Sequence, residues 1–249
     1  MPLLFNAEHN MNTWLLPPEH LRLMPHEAHV WSVQLENFFG RADELLECLS
    51  AEEVQQSQRF VNAQLTNSYI IAHALLRHVL ARYVDCKPEA LLIEKNPQGK
   101  PYLAHQNLEF NMSHTRGVAL YAVSHQAVGI DIELLARDMQ IEDIAERFFT
   151  ENEYKKICAL DPGDRQAAFY RCWTLKEAFI KALGHGLTYG LDRFEVDFMS
   201  EGSRCLKNVE DPLQNPQDWD LRPLFYSQEY AAALATQGAL NGLQCFTLS

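Results

Sequence analysis

Two acids, Asp131 and Glu133, stand two residues apart in the run Val128-Gly129-Ile130-Asp131-Ile132-Glu133. Side chains alternate between the faces of a strand. Val128, Ile130 and Ile132 therefore point into a core, and Gly129, Asp131 and Glu133 share the opposite face. Two carboxylates on one face repel unless positive charge lies between them. A hard cation such as Mg²⁺ suits oxygen ligands of this kind and keeps waters or phosphate oxygens in its other positions. Gly129 is expected to leave open space beside the acids. The same pattern also describes a half-exposed strand whose acids are simply solvated.

A second set of reactive side chains lies in Phe169-Tyr170-Arg171-Cys172-Trp173-Thr174-Leu175-Lys176-Glu177-Ala178-Phe179-Ile180-Lys181-Ala182-Leu183-Gly184. As a helix, Phe169, Cys172, Phe179, Ile180 and Leu183 face a core. Tyr170, Trp173, Glu177 and Lys181 form one stripe, with Lys176 beside it. An acid and a base among large aromatics describe a cleft wall. The plain alternative is an exposed Glu177–Lys181 pair at i,i+4, worth only about 0.3–0.5 kcal/mol.

The elements that position these residues can be read from periodicity and punctuation. His29 to Val33 reads as a short strand. Ser50-Ala51-Glu52-Glu53 starts a helix, with Ser50 as N-cap and Glu53 reaching back. Ile70, Ile71, Ala74, Leu75, Val79 and Leu80 recur at helical spacing within a helix from about Asn67 to Tyr83. Asn96-Pro97-Gln98-Gly99 is a turn. Gly117 to Val123 and Ala127 to Leu134 are strands separated by Ser124-His125-Gln126. Helices are expected at Ile141 to Phe149 and Asn152 to Ala159, and a long one from an Asp164 cap to an αL stop at Gly184. Gly202 to Trp219 reads as an irregular connection, and Arg222 to Ala235 and Leu243 to Leu248 as strands. Phe110-Asn111-Met112-Ser113 and Leu224-Phe225-Tyr226-Ser227 each follow a long helix and lead into an apolar strand, a weak internal echo.

Composition narrows the function classes. With 47% apolar and 22% charged residues the 249-residue chain is an ordinary globular mixture, not a disordered one. A net charge of −12 argues against an extended nucleic-acid surface, which needs clustered Lys and Arg. Six scattered cysteines include no C-x-x-C, and ten histidines include no H-E-x-x-H. No apolar run approaches membrane-spanning length, and Met1 to Glu8 lacks a basic leader region. A cytoplasmic location without membrane association is expected.

Together the motifs resemble the paired signature of the 4′-phosphopantetheinyl transferases, of the larger, monomeric type that activates surfactin- and siderophore-style synthetases. Gly129-Ile130-Asp131-Ile132-Glu133 is followed, 39 residues on, by Trp173-Thr174-Leu175-Lys176-Glu177-Ala178-Phe179-Ile180-Lys181. Gly99-Lys100-Pro101-Tyr102-Leu103, Phe110-Asn111-Met112-Ser113-His114 and Phe148-Phe149-Thr150-Glu151-Asn152-Glu153 agree in the family's order. The resemblance spans about Arg59 to Leu187.

The resemblance implies an α+β fold, a pseudo-dimer of two similar α/β halves (1–126 and 127–249) with the active site in the cleft between them. It implies a monomer that transfers the 4′-phosphopantetheine arm of coenzyme A to a serine of apo acyl or peptidyl carrier proteins, releasing adenosine 3′,5′-bisphosphate. Asp131, Glu133 and Glu177 would hold Mg²⁺ or Mn²⁺. Glu177 would act as general base, with Glu153 as the rival for metal binding or proton transfer. Lys181 would contact the phosphates and stabilise the departing oxygen. Lys100 and Lys176 would contact coenzyme A, and Ser113 and His114 would lie near its 3′-phosphate. Arg59-Phe60, with Arg77 further on, resembles the start of another phosphate-contacting segment. The chain departs where many relatives carry Arg and this one has Ser68, leaving His73 or Arg59 as substitutes. Two other readings remain at this stage: a different Mg²⁺-dependent nucleotide enzyme, although the chain has no G-x-x-x-x-G-K-[ST] loop, and a non-catalytic carrier-binding module.

Overall fold

A computed structural model describes residues 12–135, 140–186 and 189–249. The Met1 to Glu8 segment and Leu187 lie outside them. After the short strand β1 (Trp14–Leu15), the chain enters β2 (Glu27–Gln34), whose residues are buried up to Val33. Helices α1 (Ala42–Leu46), α2 (Ala51–Ser57) and α3 (Ala63–Ala81) follow. The expected cap of α2 is present: Ser50 Oγ accepts the Glu53 N–H, and the Glu53 carboxylate accepts the Ser50 N–H. Helix α3 starts four residues earlier than periodicity placed it, because the Asn62 side chain accepts the N–H groups of Gln64 and Leu65. Strands β3 (Ile93–Lys95) and β4 (Pro101–Leu103) flank the Asn96–Gly99 turn, and β5 (Glu109–Thr115) and β6 (Val118–Ser124) form a hairpin.

The second stretch repeats this plan. Strand β7 (Val128–Leu134) leads to α4 (Ile141–Phe148), α5 (Glu151–Cys158) and α6 (Pro162–Leu183). Helix α6 begins at Pro162 with Asp161 at the N-cap position, earlier than the expected Asp164. Proline suits the first helical position because its missing N–H would be unpaired there anyway. Gly184 ends the helix at φ 71°, as expected. The region read as irregular contains β9 (Leu206–Val209), which pairs with β8 (Phe194–Val196). They are three and four residues long, with polar side chains in the middle, so their pattern falls below what periodicity resolves. The run expected as one strand from Arg222 to Ala235 is two antiparallel strands, β10 (Trp219–Leu224) and β11 (Tyr230–Gln237). Pro223 is tolerated on the edge strand β10, which is bridged on its outer side at Leu221 and not at Pro223.

Each unit thus runs strand, short helices, long helix, two-stranded ribbon, antiparallel pair. The sheets echo each other: β2-β6-β5 in one and β7-β11-β10 in the other, all neighbours antiparallel. The fold is the two-half α+β arrangement. Ser124–Gln126 does not close a hairpin but passes the chain from one sheet to the other. Strand β12 (Gly242–Leu248) departs from the repeat. It returns to the first sheet and lies parallel between β1 and β2, giving the order β1-β12-β2-β6-β5. A cut at 126/127 therefore does not separate the two sheets.

The halves meet where β5 and β7, each at a sheet edge, run side by side. Asn111 Oδ1 on β5 accepts the Ile130 N–H of β7 at 2.9 Å, a side-chain bond where a ladder would otherwise continue. Val128, Ile130 and Ile132 join Val30, Leu120 and Leu234 in an apolar cluster shared by both sheets. Among the described residues no helix is long and apolar enough to cross a membrane.

Candidate active site

The alternation read from β7 holds. Ile130 and Ile132 are fully buried in the core, and Asp131 and Glu133 project from the other face toward α6. Gly129 does not leave space, contrary to expectation. A Cβ there would collide with the Ala178 carbonyl oxygen and the Ala182 nitrogen, so the missing side chain lets β7 press against the backbone of α6. That close approach brings Glu177 and Lys181 beside the strand acids.

Lys181 Nζ donates to Asp131 Oδ1 at 2.6 Å, to Ser113 Oγ at 3.0 Å and to the Ile130 carbonyl at 3.3 Å. Ser113 Oγ in turn donates to Asp131 Oδ1 at 2.8 Å. The lysine thus pairs with the strand acid and not, as the i,i+4 alternative supposed, with Glu177. Burial raises the Glu133 and Glu177 carboxyls to about 7, and the Asp131 charge adds to the effect in both. Lys181 opposes the rise without cancelling it.

Among the described residues no three His, Cys, Asp or Glu side chains close into a metal cage. The acids form a looser cluster in which Asp131 Oδ2 and Glu177 Oε1 are buried without a hydrogen-bond partner. Buried carboxylate oxygens left bare beside mutually repelling acids call for a cation. The residues present fit Mg²⁺ or Mn²⁺, since Mg²⁺ is commonly held by one or two carboxylates, with waters and phosphate oxygens completing its shell.

The cleft is shaped by both halves. A cavity of about 370 Å³ is lined by Lys100, Pro101, Asn111, Met112, Glu177 and Lys181. Lys100 Nζ donates to the Val128 and Ala182 carbonyls and lies 3.7 Å from Glu109. Burial lowers its pKa. Asn96 completes this seam: its Oδ1 accepts the Gln98 and Lys100 N–H groups, and its Nδ2 donates to the Gly184 carbonyl. The turn of one half thereby caps the helix of the other. Gly184 has to be glycine for the same reason, because a Cβ would meet Lys100 Cδ at 2.9 Å. On the far side of Glu133, Ile144, Phe169, Tyr170 and Trp173 line a second, aromatic cavity with Arg116 at its rim. The stripe read on α6 is a cleft wall.

The remaining expected residues lie elsewhere. Glu153 and Lys176 are fully buried and paired with each other at 2.8 Å, outside the cavity that holds Glu177 and Lys181. Lys176 also donates to the Leu191 and Phe194 carbonyls. His114 lies on the opposite face of β5 from Ser113, and desolvation of its ring, with the nearby His73 and Lys181, lowers its pKa. Arg59 is exposed at the end of α2, and Arg77 is committed to Glu53 and to the Pro88 and Leu91 carbonyls. Asn111 and Asn96 were missed as site-building residues. Their signal was present in the Phe110–His114 and Asn96–Gly99 segments, but which backbone each side chain reaches depends on the partner half.

Two family models match. That described as the 4′-phosphopantetheinyl transferase superfamily covers residues 127–235, and that described as 4′-phosphopantetheinyl transferase, N-terminal, covers residues 31–126. The chain is 31% identical over 233 residues to the 4′-phosphopantetheinyl transferase HetI of Nostoc sp., spanning 91% of this chain and 94% of that protein. It is 31% identical over 155 residues to the 4′-phosphopantetheinyl transferase Sfp of Bacillus subtilis, spanning 62% and 68%. To the 4′-phosphopantetheinyl transferase gsp of Aneurinibacillus migulanus it is 34% identical over 149 residues, spanning 60% and 62%.

Proposed function

This chain belongs to the 4′-phosphopantetheinyl transferase superfamily, and we propose that its reaction is run by Asp131, Glu133, Glu177 and Lys181 at the seam between the halves. It transfers the 4′-phosphopantetheine arm of coenzyme A to a serine of apo carrier proteins and releases adenosine 3′,5′-bisphosphate. The observation that supports the site assignment is the meeting of Asp131, Lys181 and Ser113 beside Glu177, with Glu133 near enough to feel the Asp131 and Glu177 charges and two buried carboxylate oxygens left bare.

Asp131, Glu133 and Glu177 would hold Mg²⁺ or Mn²⁺. Bound there, the ion would neutralise the diphosphate and stabilise the leaving group. Lys181 reaches into the same cavity and can place its ammonium against the departing phosphate oxygen. Ser113 orients Asp131 by donating to its inner oxygen. Glu177 is placed to take the seryl proton, directly or through a water; burial and Asp131 raise its carboxyl to about 7, and a bound cation would lower it again. Lys100 lies on the wall that the nucleotide would follow. Lys176 and Glu153 act from the core by fixing α6. A monomeric cytoplasmic enzyme fits a cleft completed within one chain and six unpaired cysteines.

Incubating the purified chain with coenzyme A, Mg²⁺ and an apo carrier, followed by mass spectrometry, tests this. A gain of one phosphopantetheine on the carrier is expected, and its loss on chelation of the metal. Binding of the carrier with no mass gain would instead favour a non-catalytic module.

A further inference from the structure

Pro101, Asn111 and Met112, which line the Lys100–Lys181 cavity, also line a neighbouring one of about 280 Å³ between α2, α3 and the β3–β4 ribbon. Tyr69 and His73 stack there, with ring centroids 4.0 Å apart, and offer a flat aromatic wall. Its cations are already matched. Arg77 gives Nε and Nη2 to Glu53 at 2.9 and 2.8 Å and Nη1 to two carbonyls. His73 Nδ1 lies 3.7 Å from Glu53 Oε1, and Lys95 pairs with Glu52. Burial pushes the Glu53 carboxyl up, but His73, the Ser50 N–H and Arg77 together hold it at about 2, so it stays ionised.

The groups expected at a 3′-phosphate add little positive charge. Arg59 does not line this cavity, Ser113 is engaged with Asp131 and Lys181, and the lowered pKa of His114 favours its neutral form. A ribose phosphate carries close to two negative charges at neutral pH. Seating it beside a fixed carboxylate means repulsion, or breaking the buried Glu53–Arg77 pair. A ribose hydroxyl faces neither cost, because it can donate to the carboxylate. In dinucleotide sites an acidic residue likewise reads the ribose hydroxyl, and arginine accommodates the phosphorylated sugar.

On the reading that coenzyme A occupies this cleft, we infer that Glu53 makes the nucleotide end a hydroxyl-reading site, so that 3′-dephospho-coenzyme A is a substrate on a par with coenzyme A. The transfer is balanced in the same way. The seryl oxygen bonds to the pantetheine-linked phosphorus, the bridging P–O bond breaks with its electron pair passing to the adenylate phosphate, and the seryl proton is released. The nucleotide product is 5′-AMP in place of adenosine 3′,5′-bisphosphate.

Initial rates of the full chain with Mg²⁺ and apo carrier, measured against both cofactors, test this. The two kcat/KM values should agree within about tenfold, because charge-assisted recognition of the extra phosphate would separate them further. Inhibition by 5′-AMP and by adenosine 3′,5′-bisphosphate should agree within the same margin. A preference for the 3′-phosphorylated compound beyond that in either measurement overturns the inference. Glu53→Gln, checked for folding by its melting curve, should shift the ratio toward coenzyme A; in a folded variant an unchanged ratio removes Glu53 as the determinant. The wild-type ratios stand whether or not that variant folds. Absence of transfer from both cofactors would overturn the function on which the inference rests, whereas transfer confined to coenzyme A overturns this inference alone.

Discussion

Lys176 and Glu153 form a fully buried ion pair that reproduces, in the second half, the Arg77–Glu53 pair of the first. In both, the acid is the third residue of a capping box, Ser50–Glu53 or Thr150–Glu153, and the cation comes from the long helix. In both, the cation's other bonds go to backbone carbonyls just downstream, Pro88 and Leu91 or Leu191 and Phe194. The pair ties three elements into one body, and Glu177 sits next to Lys176 on the helix so held.

Removing one partner of this pair leaves the other charged and buried, which costs roughly 3–5 kcal/mol. Lys176→Met should therefore lower the melting temperature by about 10 °C. Adding Glu153→Gln should recover part of the loss. In whatever fraction folds at low temperature, turnover of Glu153→Gln should stay within about tenfold of wild type; a far larger loss with an unshifted melt would return Glu153 to the reacting groups.

Asp131→Ala should abolish transfer and leave the far-UV spectrum unchanged, since its side chain meets Lys181 and Ser113 and not the apolar core. Full activity in this variant would remove the acids from the proposed machinery.

For Lys181→Ala, kcat should fall by about two orders of magnitude while coenzyme A binding weakens less, as expected for a group acting on the leaving phosphate. Calorimetric affinity beside steady-state rates separates the two. Weaker binding with unchanged kcat would make Lys181 a ground-state contact only.

Glu133 and Glu177 have raised pKa values in the folded chain, so folding favours their protonated forms. Their contribution to stability is fully present below the ordinary carboxylate value of 4.5 and is lost as pH rises through about 7. A divalent cation should offset that loss. The rise in melting temperature on adding Mg²⁺ should thus be larger at pH 8 than at pH 5.5, by roughly 5 °C. An equal rise at both would count against these acids as ligands.

Gly129→Ala places a methyl group against the Ala178 and Ala182 backbone, so β7 and α6 must part. Overpacking of this kind costs about 1–3 kcal/mol. The separation should also loosen Lys181 from Asp131, lowering kcat together with the melting temperature. An alanine variant with wild-type rates would show that the close approach is not needed for the chemistry.

Much of this was legible in local sequence. The Asp131/Glu133 alternation, the Ser50 cap and the Gly184 stop each depend on neighbours within a few residues. The repeat was visible in part, since Phe110–Ser113 leads into β6 as Leu224–Ser227 leads into β11, whereas the matching caps at Ser50–Glu53 and Thr150–Glu153 went unread. What escaped was partnership. Lys176 and Lys181 are both lysines on one helix, and only the packing sends one to Glu153 and the other to Asp131. The polar strand β9 and the division between β10 and β11 were lost because each is defined by a neighbour in space.

Strand β12 lies between β1 and β2 in the first sheet but is synthesised after the whole second half. During translation β2 therefore emerges with one edge unpaired, and it stays so until more than 200 further residues have left the ribosome. An unpaired strand edge is a template for wrong pairing, and closing so distant a contact is slow. Early chains of this protein should depend on chaperones that shield β2, and fragments ending before Gly242 should aggregate rather than accumulate as independent halves.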